Sequence, residues 1–291
     1  MDLTEGQHSA DETPTGVSPK NTLNELTAKE WISETVSVWR QRGLGKGHPD
    51  TQIEKQHPAP FSYTDVSRLI RFFTKSGQIV LDPFMGVGST LKAAAIEGRG
   101  SIGIELNPDF ARLSEQRMTK ELEPTLFPVP ESQILVGDAR KELPLLPDNS
   151  VDFCVTSPPY WNILHKKDHK VSQERMSQGL ATRYSDSEAD LGNIDDYSLF
   201  LNELTQVFAE VRRVLRPKKY ISIIVSDFRN GGELTLFHSD LAASLRDVGY
   251  ALHGLSILHQ PHKRVFPYGY PTTYVPNIHH QYILILRSTK T

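Results

Sequence analysis

The chain has 291 residues, of which 38% are hydrophobic and 23% charged, and its formal net charge is −3. That length suits one sizeable α/β domain with a small appendage rather than two full domains. No apolar run approaches the length that crosses a bilayer, and the acidic, polar N-terminus is unlike a secretory signal, so a cytoplasmic protein with no membrane partner is expected. The single cysteine, Cys154, excludes an intramolecular disulfide and a Cys-rich zinc site. It sits in an apolar run, 151–155, and reads as a core residue rather than a nucleophile. The negative balance weighs against a uniformly basic nucleic-acid binder, but phosphate contact depends on local charge.

Residues 1–21 are rich in Thr, Ser, Glu, Asp, Pro and Gly and lack periodicity, which predicts a disordered tail. A helical pattern follows over about 23–42, with Leu26, Trp31, Val36 and Trp39 among its apolar members and Thr27 with Glu30 as a capping box. With the polar link after it, this forms an N-terminal helical arm and linker over 22–56. From there strand and helix patterns alternate. Strands are expected at 79–82, 101–105, 133–137, 151–156, 220–226, 251–258 and 281–287, and helices at 63–74, 90–97, 108–121, 194–215 and 236–248. The alternation predicts an α/β, Rossmann-like fold: a seven-stranded, mostly parallel sheet with helices on both faces. No clear helix separates the last two strands, so they are expected to close the sheet as an antiparallel pair. Residues 161–193 break the alternation with His165, Lys166, Lys167, Lys170, Arg175 and Arg183 and few aliphatics. They read as a long polar insertion, a kind of loop that is usually functional or disordered.

The run 79–90, IVLDPFMGVGST, passes from an apolar strand through a Gly-rich turn into a helix. Gly86 and Gly88 permit close approach of a ligand to the backbone. The turn lacks the Lys of a phosphate-binding loop and the third Gly of a dinucleotide fingerprint. Asp82 is placed to accept from a cationic amine. Glu105 ends the next strand and is placed to hold both hydroxyls of a ribose. Asp138, at the third strand end, is placed to accept from an adenine amino group. Each acid alone is more often a cap or turn residue; three at successive strand ends point to one ligand crevice.

The fourth strand runs into Ser157-Pro158-Pro159-Tyr160. Two prolines fix φ and remove two backbone donors, which leaves carbonyls free to face a site. Ser157 adds a side-chain acceptor and Tyr160 a stacking face. An exocyclic amine donating to Ser157 and to the Pro158 carbonyl would be held for in-line attack on a sulfonium methyl.

These motifs resemble those of amino-methyltransferases of the restriction-modification type, with D-P-F-x-G-x-G for the cofactor turn and [DNS]-P-P-[YF] for catalysis. The segment 57–61, HPAPF, resembles the family's contribution to the methionine pocket. The resemblance covers about residues 55–290. It implies S-adenosylmethionine as cofactor, held by Pro60, Phe61, Asp82, Phe84, Gly86, Gly88, Ser89, Thr90, Glu105, Asn107, Asp138 and Ala139, and a flipped target base against Tyr160. It also implies that 57–291 is a methyltransferase catalytic domain with a substrate-recognition insertion at about 161–193. The serine form of the tetrad is associated mainly with N4-cytosine in DNA, the aspartate form with N6-adenine. The expected activity is therefore cytosine-N4 DNA methylation, with N6-adenine, an RNA base or a non-catalytic nucleic-acid-binding subunit as alternatives, and a nucleotide-binding oxidoreductase as a more distant one. A cognate restriction endonuclease acting separately on the same site is the expected protein partner. Many S-P-P-Y enzymes place the tetrad before the cofactor turn; here the turn comes first, and recognition falls to the insertion, the 259–280 loop and the N-terminal helix.

Substrate contacts are expected from Trp161, Lys166, Lys167, Asp227, His262, Lys263 and Arg264. The stretch 260–270, QPHKRVFPYGY, mixes cations with aromatics, which fits phosphate contact with base stacking or, equally, a solvated loop. Arg212, Arg213, Arg216, Lys218 and Lys219 complement a helix C-terminus. His165 and His169 have ligand-like spacing without Cys or acid partners, so no metal is expected.

Overall fold

The computed structural model describes residues 16–41, 56, 62–121, 131–165, 185 and 187–291. Helix α1, Ala28–Glu34, starts at the capping box read from the sequence: Thr27 Oγ1 accepts from Glu30 N, and Thr27 N donates to the Glu30 carboxylate at 2.8 Å. The helix then stops well short of the expected 23–42. The β-branched residues Thr35, Val36 and Val38 favour extended backbone, and Val38–Arg40 forms a strand, β1. Trp39 is buried there, while Val36 of the supposed helical stripe is exposed.

Helix α2, Tyr63–Phe73, is capped by Ser62 and buries Val66, Leu69, Ile70 and Phe73 at the spacing of one helical face. Then come β2, Ile79–Asp82; α3, Ser89–Ile96; β3, Gly100–Glu105; α4, Pro108–Glu121; β4, Ser132–Val136; and the short α5, Ala139–Glu142. Strand β5 is Val151–Thr156, α6 is Tyr197–Val214 and β6 is Leu215–Val225. A hairpin of β7, Phe228–Asn230, and β8, Glu233–Thr235, turns through Gly231 and Gly232, both at positive φ. Helix α7, Phe237–Asp247, and the long strands β9, Tyr250–His259, and β10, His280–Ser288, complete the chain.

Among the described residues eight strands form one sheet in the order β1-β9-β10-β6-β5-β2-β3-β4. The expected seven are joined by β1, which pairs in parallel with the outer edge of β9. Strand β10 runs antiparallel to both β6 and β9, as the missing helix before it implied. Strand β5 is buried along its whole length, as a strand covered on both faces must be. Its pleat sends Cys154 to a layer shared with Phe200, Phe208 and Phe237, and Phe153 to a layer shared with Phe73 and Ile70. From β2 the order proceeds through β3 to β4, then returns across to β5. That reversal opens a crevice at the carboxyl ends of β2 and β5, where ligands of doubly wound sheets bind.

Candidate active site

Strand β5 ends at Thr156 and delivers Ser157-Pro158-Pro159-Tyr160 to the mouth of this crevice. Pro158 and Pro159 are buried, and Ser157 and Tyr160 are half-buried. Ser157 Oγ lies 3.2 Å from Tyr160 Oη, which accepts a hydrogen bond from Gln281 Nε2 at 2.9 Å. The Tyr160 ring stands edge-on to Phe237 at 6.4 Å. Burial pushes the phenol pKa up, so the group acts as a neutral hydroxyl. Trp161, expected at the substrate, is instead buried against Tyr197 and Phe228, at 5.4 and 5.9 Å between ring centroids. The indole is thus packed among aromatic side chains rather than presented on an open surface.

The Gly-rich turn is held by acids rather than merely lined by them. Asp82 is fully buried; its Oδ1 accepts from Phe84 N at 3.0 Å and Thr156 Oγ1 at 2.6 Å, and its Oδ2 accepts from Thr90 Oγ1. Burial raises this carboxyl to about 6 against the lowering effect of those bonds. The carboxylate offers no surface to a ligand amine, which corrects the direct contact expected of it: Asp82 ties the turn, α3 and the end of β5 together. Thr90 serves the same bracket. Ser89 is buried too, and its Oγ accepts from Arg117 Nη1 at 3.0 Å. Gly88 has φ of +80°, and a Cβ there would stand 2.1 Å from Ser114 Oγ. Its role is close packing of α3 on α4.

Glu105 differs. Its Oε2 accepts from Gly86 N and its Oε1 from Asn107 N, both at 2.8 Å, which leaves each oxygen with acceptor capacity toward the crevice. Burial lifts its carboxyl to about 7. Asp138 caps α5 by accepting from Arg140 N at 2.9 Å and pairs with the Arg140 guanidinium at 2.8 Å. Arg140 also reaches Glu203 at 2.7 Å and donates to Ala189 O at 2.9 Å. The crevice walls are Pro83, Phe84, Glu105, Leu106, Gly137, Asp138, Ala139, Ser157, Pro159, Ala189, Asp190 and Leu191, enclosing about 610 Å³ of empty volume including the open mouth. Ser157 and Pro159 thus share one crevice with Glu105 and Asp138.

Sequence reasoning missed Arg117, Arg140 and the stretch Ala189–Leu191. Residues 161–193 were assigned to substrate, yet the last of them wall the crevice beside Glu105 and Asp138. Asp190, followed by Gly192 whose N–H it accepts at 2.8 Å, carried a turn signal.

On the far side of the tetrad Asp227 is buried, accepts from His238 N at 3.2 Å and lies 2.7 Å from His238 Nδ1. The His238 ring stacks on Tyr282 at 3.8 Å. His262, Lys263 and Arg264 are exposed on the β9–β10 connection. Pro60, Phe61, Lys166 and Lys167 lie outside the described residues. Among the described residues no group of three or more His, Cys, Asp or Glu could hold a metal ion, and no helix is long and apolar enough to cross a membrane.

The chain is similar in sequence to several known proteins. M.BglI, a type II methyltransferase of Bacillus subtilis, is 38% identical over 95 residues, covering 33% of this chain and 26% of its own. M.MjaI, a type II methyltransferase of Methanocaldococcus jannaschii, is 36% identical over 111 residues, covering 36% of this chain and 35% of its own. The chain thus spans about a quarter to a third of the length of these curated relatives. The TTHA0409 protein of Thermus thermophilus, solved in complex with S-adenosyl-L-methionine, is 29% identical, with a TM-score of 0.38 over 54% of this chain and 55% of that one. The family model N6_N4_Mtase, described as DNA methylase, matches residues 7–116 and 151–291, which include the Gly-rich turn, Glu105 and the whole tetrad. A match across most of the chain shows that the protein belongs to the N6/N4 DNA methylase family.

Proposed function

We propose that the protein methylates the exocyclic N4 amine of cytosine in DNA. The observation that carries this reading is that Ser157 and Pro159 line the same crevice as Glu105 and Asp138. The methyl donor is S-adenosylmethionine, which supplies an electrophilic methyl on a sulfonium centre. The residues fit such a ligand: Glu105 has open acceptors for two ribose hydroxyls, Phe84 and Ala139 offer apolar walls to an adenine, and Asp138 stands at the adenine end. The backbone of Gly86 and Asn107 holds the Glu105 carboxylate in place for that work.

On the other side, the target amine donates to Ser157 Oγ and to the Pro158 carbonyl, while the Tyr160 ring stacks on the base. Holding the nitrogen at one distance and angle supplies much of the rate enhancement. Asp227 lies on the base side. His262, Lys263 and Arg264, with Lys166 and Lys167, contact DNA phosphates. The serine at the head of the tetrad favours cytosine over adenine. A restriction endonuclease that acts separately on the same site, in the cytoplasm, belongs to this reading.

Incubation of unmethylated DNA with the protein and radiolabelled S-adenosylmethionine, followed by hydrolysis to nucleosides, tests it. N4-methylcytosine is expected, N6-methyladenine moves the target to adenine, and absence of label overturns the reading. Ser157→Ala is expected to slow transfer by about 100-fold or more, while the cofactor dissociation constant stays within about threefold.

A further inference from the structure

Three glutamines stand in a row across the catalytic end of the sheet. Gln41 follows β1, Gln260 follows β9, and Gln281 lies near the start of β10. Sheet hydrogen bonds fix two of their backbones: Gln41 N donates to His259 O at 2.8 Å and Gln260 N to His279 O at 2.9 Å. Their side chains join end to end. Gln41 Nε2 donates to Asp65 Oδ2 at 3.1 Å. Gln260 Nε2 donates to Gln41 Oε1 at 2.9 Å and to Gln281 Oε1 at 3.1 Å. Gln281 Nε2 donates to Tyr160 Oη, which faces Ser157 Oγ.

The direction of this row follows from its far end. A carboxylate only accepts, so Asp65 obliges Gln41 to turn its amide nitrogen outward and its carbonyl toward Gln260. Gln260 must then donate, and its two N–H groups serve Gln41 and Gln281. Gln281 is left with its carbonyl occupied and its N–H groups toward Tyr160. The phenol oxygen therefore accepts from Gln281, and its own hydrogen is directed to Ser157 Oγ. The row is also costly. Gln41 and Gln260 are 8% and 7% exposed, and Gln260 Oε1 is buried with no partner among the described residues. A buried acceptor left unmatched destabilises the fold, and an apolar side chain there would avoid the cost.

We infer that Asp65, Gln41, Gln260 and Gln281 form a positioning relay that fixes the ring of Tyr160 and sets its hydroxyl as donor to Ser157. The inference rests on the proposed role of the tetrad. One lone pair of Ser157 Oγ accepts from Tyr160, and the other stays open to the target amine. The N-terminal strand β1, with α2 behind it, thereby reaches the active site without touching cofactor or base.

The test uses the full-length protein, radiolabelled S-adenosylmethionine and unmethylated DNA. Gln281→Met keeps the length of the side chain and removes its hydrogen bonds. Asp65→Asn keeps the shape and removes the acceptor-only end. Gln281→Met is expected to lower kcat about 10-fold and Asp65→Asn about threefold, with KM and the dissociation constant for S-adenosylmethionine unchanged. In a Tyr160→Phe background, which has no hydroxyl to position, Gln281→Met is expected to cost little further. An equal loss in both backgrounds means a merely structural role and overturns the relay. Wild-type kcat in both single variants also overturns it; should Gln281→Met fold poorly, Asp65→Asn at the half-buried end decides alone. Failure of the unmodified protein to transfer methyl groups overturns the proposed function itself, a result distinct from normal transfer by the protein and its relay variants.

Discussion

Glu105 lines the crevice, and each of its oxygens accepts one backbone N–H and keeps further acceptor capacity. Its two backbone donors, Gly86 N and Asn107 N, hold it in place but do not offset burial, and the carboxyl rises from its ordinary 4.5 to about 7. Two ribose hydroxyls would donate to the anion, so cofactor binding favours the ionised form. Below about pH 7 the free protein must release a proton to bind, and affinity falls toward 10-fold per pH unit; above it, affinity is flat. Fold stability runs the other way for this group. With a folded pKa raised above the unfolded one, its contribution is full below about 4.5 and is lost as pH rises to about 7. Calorimetric titration with S-adenosylmethionine from about pH 5.5 to 8.5 should show that slope, and Glu105→Gln should flatten it while weakening binding throughout. An unchanged slope in the variant would assign the pH dependence elsewhere. The position of Glu105 was legible because the carboxyl end of a strand in a doubly wound sheet faces the crevice. The role of Asp82 was not, since what consumes it comes from Thr90 and Thr156, one of them 74 residues away. Nor could Trp161 be placed before Tyr197 and Phe228 were known to lie beneath it.

At the scale of elements, helices were read well where caps and apolar period agreed. Ser62 caps α2 and Asp196 caps α6, and both helices start within a few residues of where the pattern begins. Strand β1 escaped because its three residues are stabilised by β9, more than 200 positions later, and its local signal is only a β-branched run. The β7–β8 hairpin escaped although Asn230-Gly231-Gly232 is a recognisable turn sequence. The Gly-rich turn gives a sharper case, because the same two glycines read as a ligand contact prove to differ. Gly86 lends its N–H to Glu105, whereas Gly88 lets α3 sit on Ser114 of α4. Gly88→Ala must adopt a φ that side chains resist and must also displace Ser114. It is expected to destabilise the protein by about 2–3 kcal/mol, seen as a lower denaturation midpoint with unchanged m-value. Gly77→Ala is the control: φ is +74° there but nothing lies within 4 Å of the added Cβ. Its cost should be only the backbone term of about 1 kcal/mol. Equal losses at both sites would mean that the α3–α4 contact has slack.

The whole molecule gathers its chemistry at one end of the sheet, and the β9–β10 connection hangs from that end. Composition left this loop evenly divided between nucleic-acid contact and a solvated surface. The proposed function assigns it to contact. Phe266 N donates to Asn277 Oδ1 and Asn277 Nδ2 to Phe266 O, both at 2.8 Å, and Thr273 N donates to Gly269 O at 2.7 Å. Yet on this braced loop Tyr270 and Tyr274 are 82% and 87% exposed. A merely solvated loop has no need to hold two aromatic rings in water. Residues 260–280 also contain Lys263 and Arg264 and no acid, so the local charge is positive although the chain as a whole carries −3. The two kinds of residue should separate by their salt dependence. Replacing Lys263 and Arg264 together by Ala should weaken duplex binding at all sequences and make the plot of log affinity against log salt shallower by about 2. Tyr270→Ala and Tyr274→Ala should each weaken binding about fivefold or more with the slope intact, because a stacking ring releases no counterions. Fluorescence anisotropy of labelled DNA across a salt series reads both quantities. S-adenosylmethionine affinity serves as the control and should not move, since none of these residues lines the crevice. Unaltered DNA affinity in all of the variants would return the loop to solvent and leave recognition to other parts of the chain.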